Sequence, residues 1–420
     1  MRSRLKVVAM ATGTVLLAGL AGCSASGGSD GTTEITWWKL TETADSANAA
    51  ITQIVADFEE AHPDITVNVE ERSVDGHKDA LRTAIGTAGA PDVFFSWAGY
   101  GLGGEFVDAG ASLELEEYYD EYGWKDRFSE ANLVPITQYG GYNGVPYTQR
   151  GEALFYRKDS FAEAGIDTVP TTYEELVAAN DKLVAAGITP IQFGGTVNWH
   201  LMRLLDNLLE TECGADTFDA LVAKEASWAD EECVTDTFVE FQKWTDEYVN
   251  EGFVSINNDE SSSLLYSGDA AMALEGDWFN QVLRDNDQDE DNYGIMQFPT
   301  GTDRLYGFVE ANYISSNSEH ADEAAVFLDY LTSEDAQPTF IKAFGSQSVN
   351  VDVPAPADQS ALDASWTPIF TESKGLFMNN DQNLSLSETT EYWRIQNLVA
   401  TNELDPKKAG AEFQKFIDQQ

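Results

Sequence analysis

The sequence predicts an α/β protein of two lobes, on three observations. The chain has 420 residues, more than one hydrophobic core usually organises, so two domains of ordinary size are expected. From residue 35 to residue 97, strand-like alternation and helix-like spacing follow one another in a β-α-β-α-β order, the pattern of a mostly parallel sheet covered by helices. The same grammar returns after residue 170, and no short internal repeat signals a solenoid or propeller.

Residues 1–22 read as an export signal. Arg2, Arg4 and Lys6 precede an apolar run from Val7 to Ala21, shorter than the ~20 residues that span a bilayer as a helix. Leu20-Ala21-Gly22-Cys23 resembles the cleavage site of bacterial lipoproteins, which implies a diacylglyceryl group on Cys23 and an anchor of two acyl chains. The alternative is an ordinary secretory signal followed by a free thiol. Residues 23–33 are small and polar, a flexible tether with a reach of roughly 17 Å.

The folded body is expected from residue 34. Ile35 to Trp38 forms a strand, and Ala47 to Ala61 a helix with Ile51, Ile54, Val55 and Phe58 on one face, stopped by Pro63. Ile65, Val67 and Val69 alternate as a strand; a helix around Leu81, Ala84 and Ile85 leads through Gly89-Ala90-Pro91-Asp92 to a strand at Val93 to Trp97. Thr172-Tyr173-Glu174-Glu175 is a capping box opening a helix through Ala186, which Gly187 ends, and Ile188 to Phe193 is the next strand. Further helices fit Phe238 to Val249, Ala321 to Leu331 and Ala409 to Ile417.

Asp and Glu outnumber Lys and Arg 72 to 24, for a net charge of −48. Such a surface repels phosphate backbones and anionic lipids, so nucleic acid is excluded as a partner. It reads as a solvated surface, with adaptation to salt or a cationic partner as alternatives. Export also removes the chain from ATP and reduced glutathione, which favours disulfides. Cys213 and Cys233 lie twenty positions apart with no third cysteine or nearby histidine to complete a zinc site. A disulfide between them would stabilise by roughly 3 kcal/mol; two separate buried thiols are the alternative. No metal or organic cofactor is implied.

Several phrases together resemble one family. They are Ile35-Thr36-Trp37-Trp38, Ala90-Pro91-Asp92-Val93-Phe94, Gly144-Val145-Pro146-Tyr147, Leu154-Phe155-Tyr156-Arg157-Lys158-Asp159, Pro170-Thr171-Thr172-Tyr173-Glu174-Glu175-Leu176, Gly268-Asp269-Ala270-Ala271-Met272-Ala273-Leu274-Glu275-Gly276-Asp277-Trp278 and Ala324-Ala325-Val326-Phe327-Leu328. In this order they resemble the carbohydrate-binding proteins of bacterial ABC importers, maltose-binding-protein-like members of extracellular solute-binding family 1. The resemblance implies a periplasmic-binding-protein-like fold with a ligand cleft between lobes and more than one interlobe crossover. One lobe would be residues 34–146 plus 305–352, the other 147–304 plus 353–420. It also implies reversible capture of a neutral sugar without turnover, a permease partner, and a monomer held by its lipid anchor on the extracytoplasmic face of the cell membrane.

A pyranose offers apolar C–H faces and a rim of hydroxyls, so its site needs flat aromatics and edge-on carboxylates, amides or guanidiniums. Ten Trp and sixteen Tyr supply the faces, which favours an oligosaccharide over a monosaccharide. Glu275, Asp277 and Trp278 lie in the segment that the resemblance brings into the cleft, with core packing as the alternative for Trp278. Trp199 follows Phe193-Gly194-Gly195 on a loop near strand C-termini, where ligands collect in α/β sheets, and neighbouring His200 is expected as a structural hydrogen-bond partner. Trp38 and Lys39, and Trp97, end strands; alternation puts one of Trp37 and Trp38 in the core. Tyr147, Gln149 and Arg150 fall near the first crossover, where Arg150 could equally make a structural ion pair. Glu310 and Asn312 follow Gly307-Phe308 on the return crossing, and Asn379, Asn380 and Asp381 form a polar loop after Phe377. Trp393 is assigned to packing.

Two other classes compete. A glycoside hydrolase needs a distinct pair of carboxyls, and nothing singles one out among so many acids. The same fold could carry iron, a peptide or a polyamine; His62, His77, His200 and His320 show no ligand spacing, whereas a polyamine would suit the negative charge.

Overall fold

Alternation sets the first strand. In β1 (Thr33–Leu40), Ile35, Trp37 and Lys39 are buried on one face while Trp38 looks to the other. The computed structural model describes residues 31–420 except Thr43 and Ser346; the signal, Cys23 and the tether up to Asp30 lie outside the described residues. The tether ends sooner than expected, because Thr33 already pairs with Ile65 and its N–H donates to the Asp64 carbonyl at 2.7 Å.

The other strands are β2 (Ile65–Arg72), β3 (Val93–Trp97), β4 (Val145–Arg157), β5 (Thr189–Gln192), β6 (Ala270–Gly276), β7 (Tyr293–Met296), β8 (Leu305–Ile314) and β9 (Leu376–Phe377). Their order is β2-β1-β3-β8-β4-β6-β5, with β7 also on β4 and β9 on β8. β1 is parallel to β2 and β3, whereas β8 runs antiparallel to β3 and β4.

Two long strands carry the sheet from one core to another. The first part of β4 pairs with β8 from Val145↔Asn312 to Gly151↔Gly307, and its second part pairs with β6 and β7. One core gathers Ile35, Trp37, Phe58, Phe95, Trp124, Tyr147, Phe308, Phe327 and Phe340. The second gathers Leu154, Leu176, Leu204, Leu208, Phe238, Trp244, Met272, Tyr392 and Phe413. β4 therefore leaves the first core at Tyr147 and reaches the second by Leu154.

Most expected helices are present with shifted ends. The helix Tyr173–Ala186 ends at Gly187, whose left-handed φ of 80° suits glycine. Its start is half a capping box: Thr172 Oγ1 accepts from the Glu175 N–H, but the Glu175 carboxylate takes the Thr171 N–H. The helix expected at 238–249 spans Glu232–Glu247.

The sequence pattern hid one long helix, Asn198–Val222. Every residue from His200 to Glu210 is buried, so no amphipathic stripe marks it. The helix bends at Gly214 (φ 71°), and Cys213 just before the bend is disulfide-bonded to Cys233 on the helix Glu232–Glu247. That meets the expected pairing. Among the described residues no helix is long and apolar enough to cross a membrane.

Candidate functional site

The long strands β4 and β8 and the end of β6 bring charged side chains to one buried seam. Arg150 on β4 reaches Asp277 Oδ1 with Nη1 at 3.3 Å and Glu310 Oε2 on β8 with Nε at 3.2 Å. Thr148 donates its hydroxyl to the same Glu310 oxygen. Burial pushes the Asp277 pKa up to about 7, only partly offset by Arg150.

Trp278 follows directly. Its indole folds back over Gly276, where a Cβ would collide with the ring, and it packs on Phe308 with ring centroids 5.9 Å apart. The guanidinium of Arg150 lies 5.8 Å from the indole centroid and that of Arg203 5.4 Å, both within cation–π range.

Arg203, on the buried helix, is the centre of a second cluster. It contacts Glu152 Oε1 and Glu275 Oε2 at 2.7 Å each, donates to the Leu274 carbonyl, and lies 4.9 Å from the Trp199 ring centroid. Burial works against the charge on Glu275, but Arg203 and His200 outweigh it and hold its pKa at about 2. Burial dominates at Glu152, pushing it to about 7. His200 accepts the Gly194 N–H at Nδ1 and faces Glu275 with Nε2 at 3.2 Å, and burial lowers its own pKa. It is the structural partner the sequence suggested.

Lys39 pairs with Glu42 and Glu71 at 3.0 and 3.1 Å. Lys78 lies over Trp97, 4.8 Å from its centroid, and reaches Asp381 at 3.4 Å. Beside that pair opens a groove of about 250 Å³, lined by Asp75, Lys78, Arg82, Leu102, Asp381 and Trp393.

Arg150, Glu275, Asp277, Trp278, Glu310 and Trp199 thus come together through the two arginines, and Trp97 and Asp381 meet through Lys78. Other candidates fall elsewhere. Trp38 is on the opposite face of β1 from Lys39, under the Arg72 guanidinium at 3.9 Å and packed with Leu81 and Phe94. Asn312 accepts from Trp37 Nε1 at 2.8 Å within the core. Tyr147 packs edge-on against Trp37, Phe95 and Phe340, and Gln149 bridges to Gln347.

Two local expectations are corrected. Trp199 is in the first turn of the helix Asn198–Val222, not on the loop before it. The polar segment after Phe377 is a one-turn helix, Asn380–Asn383, because Asn380 is drawn inward: its N–H and Nδ2 donate to Asp206 at 2.9 and 2.8 Å. Asp206 also accepts from the Tyr306 and Tyr392 hydroxyls, and burial still raises it to about 7.

Sequence reasoning missed Arg203, Glu152, Lys78 and Asp206, and gave Trp393 to packing alone. One signal was available: Arg203 and Asp206 are charges in the apolar run Leu201 to Leu209, and charges so placed need partners.

A family model described as bacterial extracellular solute-binding protein matches residues 43–338. The chain belongs to that family. Among its relatives, an uncharacterized ABC transporter extracellular-binding protein of Pyrococcus horikoshii is 26% identical over 76% of this chain and 71% of its own length. A xylose/arabinose-binding protein of Haloferax volcanii is 23% identical over 73% of this chain and 67% of its own. The solved structure of a chitin oligosaccharide binding protein superposes with a TM-score of 0.83 at 23% identity, covering 92% of this chain and 98% of its own. The two-lobe fold of this solute-binding protein is thereby established, and Arg150 and Glu310 of the seam stand on β4 and β8, the strands that run from one core to the other.

Proposed function

We propose that this protein is the solute-capturing component of an ABC importer, which binds a sugar reversibly between its lobes and delivers it to the permease. Lobes of residues 34–146 plus 305–352 and 147–304 plus 353–420 would close on the ligand by bending across β4 and β8. The observation that carries the reading is the seam itself: the indoles of Trp199 and Trp278 lie among Arg150, Arg203, Glu275 and Asp277, the pairing of flat faces and polar edges that a pyranose requires. The relatives named for sugars support the cargo class.

Trp278 would stack on a ring, Glu275 and Asp277 would take hydroxyls, and the groove beside Trp393 gives room for a further sugar unit, in keeping with an oligosaccharide. The protein binds without turning its ligand over, as a monomer lipidated at Cys23 outside the membrane. A thermal-shift screen against neutral mono- and oligosaccharides tests this, since ligand at 100 times its Kd adds about 2.7 kcal/mol of stability. No shift with any sugar, neutral or aminated, would refute the cargo class. Product formed on long incubation would make the protein an enzyme, and loss of acyl labelling in Cys23→Ser would support the anchor.

A further inference from the structure

We infer that the cleft is built for a sugar carrying a protonated amine. The inference rests on the sugar-binding reading above and narrows it. Its basis is a charge imbalance that occurs twice: Arg150 lies between Asp277 and Glu310, and Arg203 between Glu152 and Glu275. All six side chains are at most 10% exposed. Each cluster is therefore one positive charge short, in surroundings where uncompensated charge is costly.

Neighbouring groups do not repair the deficit. Lys39 is occupied by Glu42 and Glu71, and Lys78 by Asp381. His200 contributes no charge, because burial favours its neutral form.

Each cluster also leaves an acceptor idle. Asp277 Oδ2 has no hydrogen-bond partner although its residue is fully buried. Asn379 spends Nδ2 on Glu152, and its Oδ1 is likewise unpartnered at 6% exposure. An ammonium brings donors, a charge and no lone pair; a hydroxyl brings one donor, no charge and lone pairs that need donors in turn. The indoles of Trp199 and Trp278 add faces that attract a cation. Burial pushes Asp277 and Glu152 to about 7, so the empty protein relieves part of the same excess with protons.

Calorimetry near neutral pH with matched probes tests the inference: the disaccharide of glucosamine against its di-N-acetylated form, glucosamine against glucose, and spermidine. The aminated member of each pair should bind at least about tenfold tighter, as expected for a buried charge-assisted contact. Asp277→Asn and Glu152→Gln should each move that ratio toward one; if either fails to fold, the ratio in the parent protein decides. Equal or weaker binding of the aminated sugars, with neutral sugars bound, overturns the inference and leaves the sugar reading intact. Binding of spermidine but of no sugar overturns both.

Discussion

Arg150 and Arg203 have the same surroundings on paper, two carboxylates and the Trp278 indole, but Arg203 holds its carboxylates at 2.7 Å and Arg150 at 3.2 and 3.3 Å. The elements that supply the carboxylates account for the difference. Glu152 and Glu275 stand on adjacent, antiparallel-paired stretches of β4 and β6, so one sheet fixes their spacing, and Arg203 meets them from a helix buried along its length. Glu310 comes from β8 and Asp277 from the turn after β6, two elements with no pairing between them. Arg150 and Glu310 stand on paired strands, β4 and β8, but Asp277 lies just past the end of β6, so strand pairing sets only one of the two carboxylates of Arg150, and its contacts are longer.

Removing each guanidinium is the strongest way to break that contrast. Arg203→Met strands Glu152 and Glu275 in the interior, and loss of one partner of a buried ion pair typically costs about 3–5 kcal/mol. Asp277 and Glu152, both near 7, can each take up a proton in place of the lost partner, so the difference rests on the second carboxylate. Glu275 is held charged, at about 2, largely by Arg203, whereas Glu310 keeps the Thr148 hydroxyl, and Arg150→Met should cost distinctly less. Urea unfolding of both variants measures this. A loss at Arg150 equal to or above that at Arg203 would show that the Arg150 cluster is as rigid as the other.

Trp278 touches both arginines, so it reports on binding where they report on stability. Trp278→Ala should weaken the cognate sugar by 2 kcal/mol or more, roughly thirtyfold, as for an aromatic hot spot. A core tryptophan would instead cost about 3–5 kcal/mol of fold stability when truncated. Gly276→Ala sharpens the assignment, since the added Cβ occupies the space of the indole and must displace it without deleting it. Calorimetry should show weaker binding in both variants. Unchanged affinity in a folded Trp278→Ala protein would remove the indole from the site.

The sequence was most readable where patterns are local. The strand pairs and helices between residues 33 and 97 follow from alternation and spacing; Glu275, Asp277 and Trp278 were singled out by a family phrase and Arg150 and Glu310 by the expected crossovers, and the structure brings all five together. What stayed hidden is non-local. Arg203 sits on a helix without a polar face, so periodicity gave no sign of it, and its partners lie at least 51 positions away, at Glu152 and Glu275. Asn380 looked like a polar turn residue because nothing nearby reveals Asp206, which is 174 positions distant. Trp38 shows a simpler ambiguity: period two says that neighbours face opposite ways, but not what each face packs against.

The smallest effect, and one in which Asp277 and Glu275 have opposite signs, is pH dependence. Asp277 has a folded pKa of about 7 against an ordinary 3.8, so between those values the folded protein binds more proton than the unfolded chain. Its contribution to stability therefore falls as pH rises through that window, by at most about 1.4 kcal/mol per pH unit. Glu275, at about 2 against 4.5, does the reverse: its stabilisation is complete above 4.5 and disappears as pH falls toward 2. Glu152 and Asp206, also near 7, have the same sign as Asp277, so the parent slope between pH 5 and 8 combines all three. Asp277→Asn removes one of them. Urea unfolding across that range should give a shallower decline for the variant than for the parent, and identical slopes would mean that Arg150 compensates Asp277 as fully as Arg203 compensates Glu275.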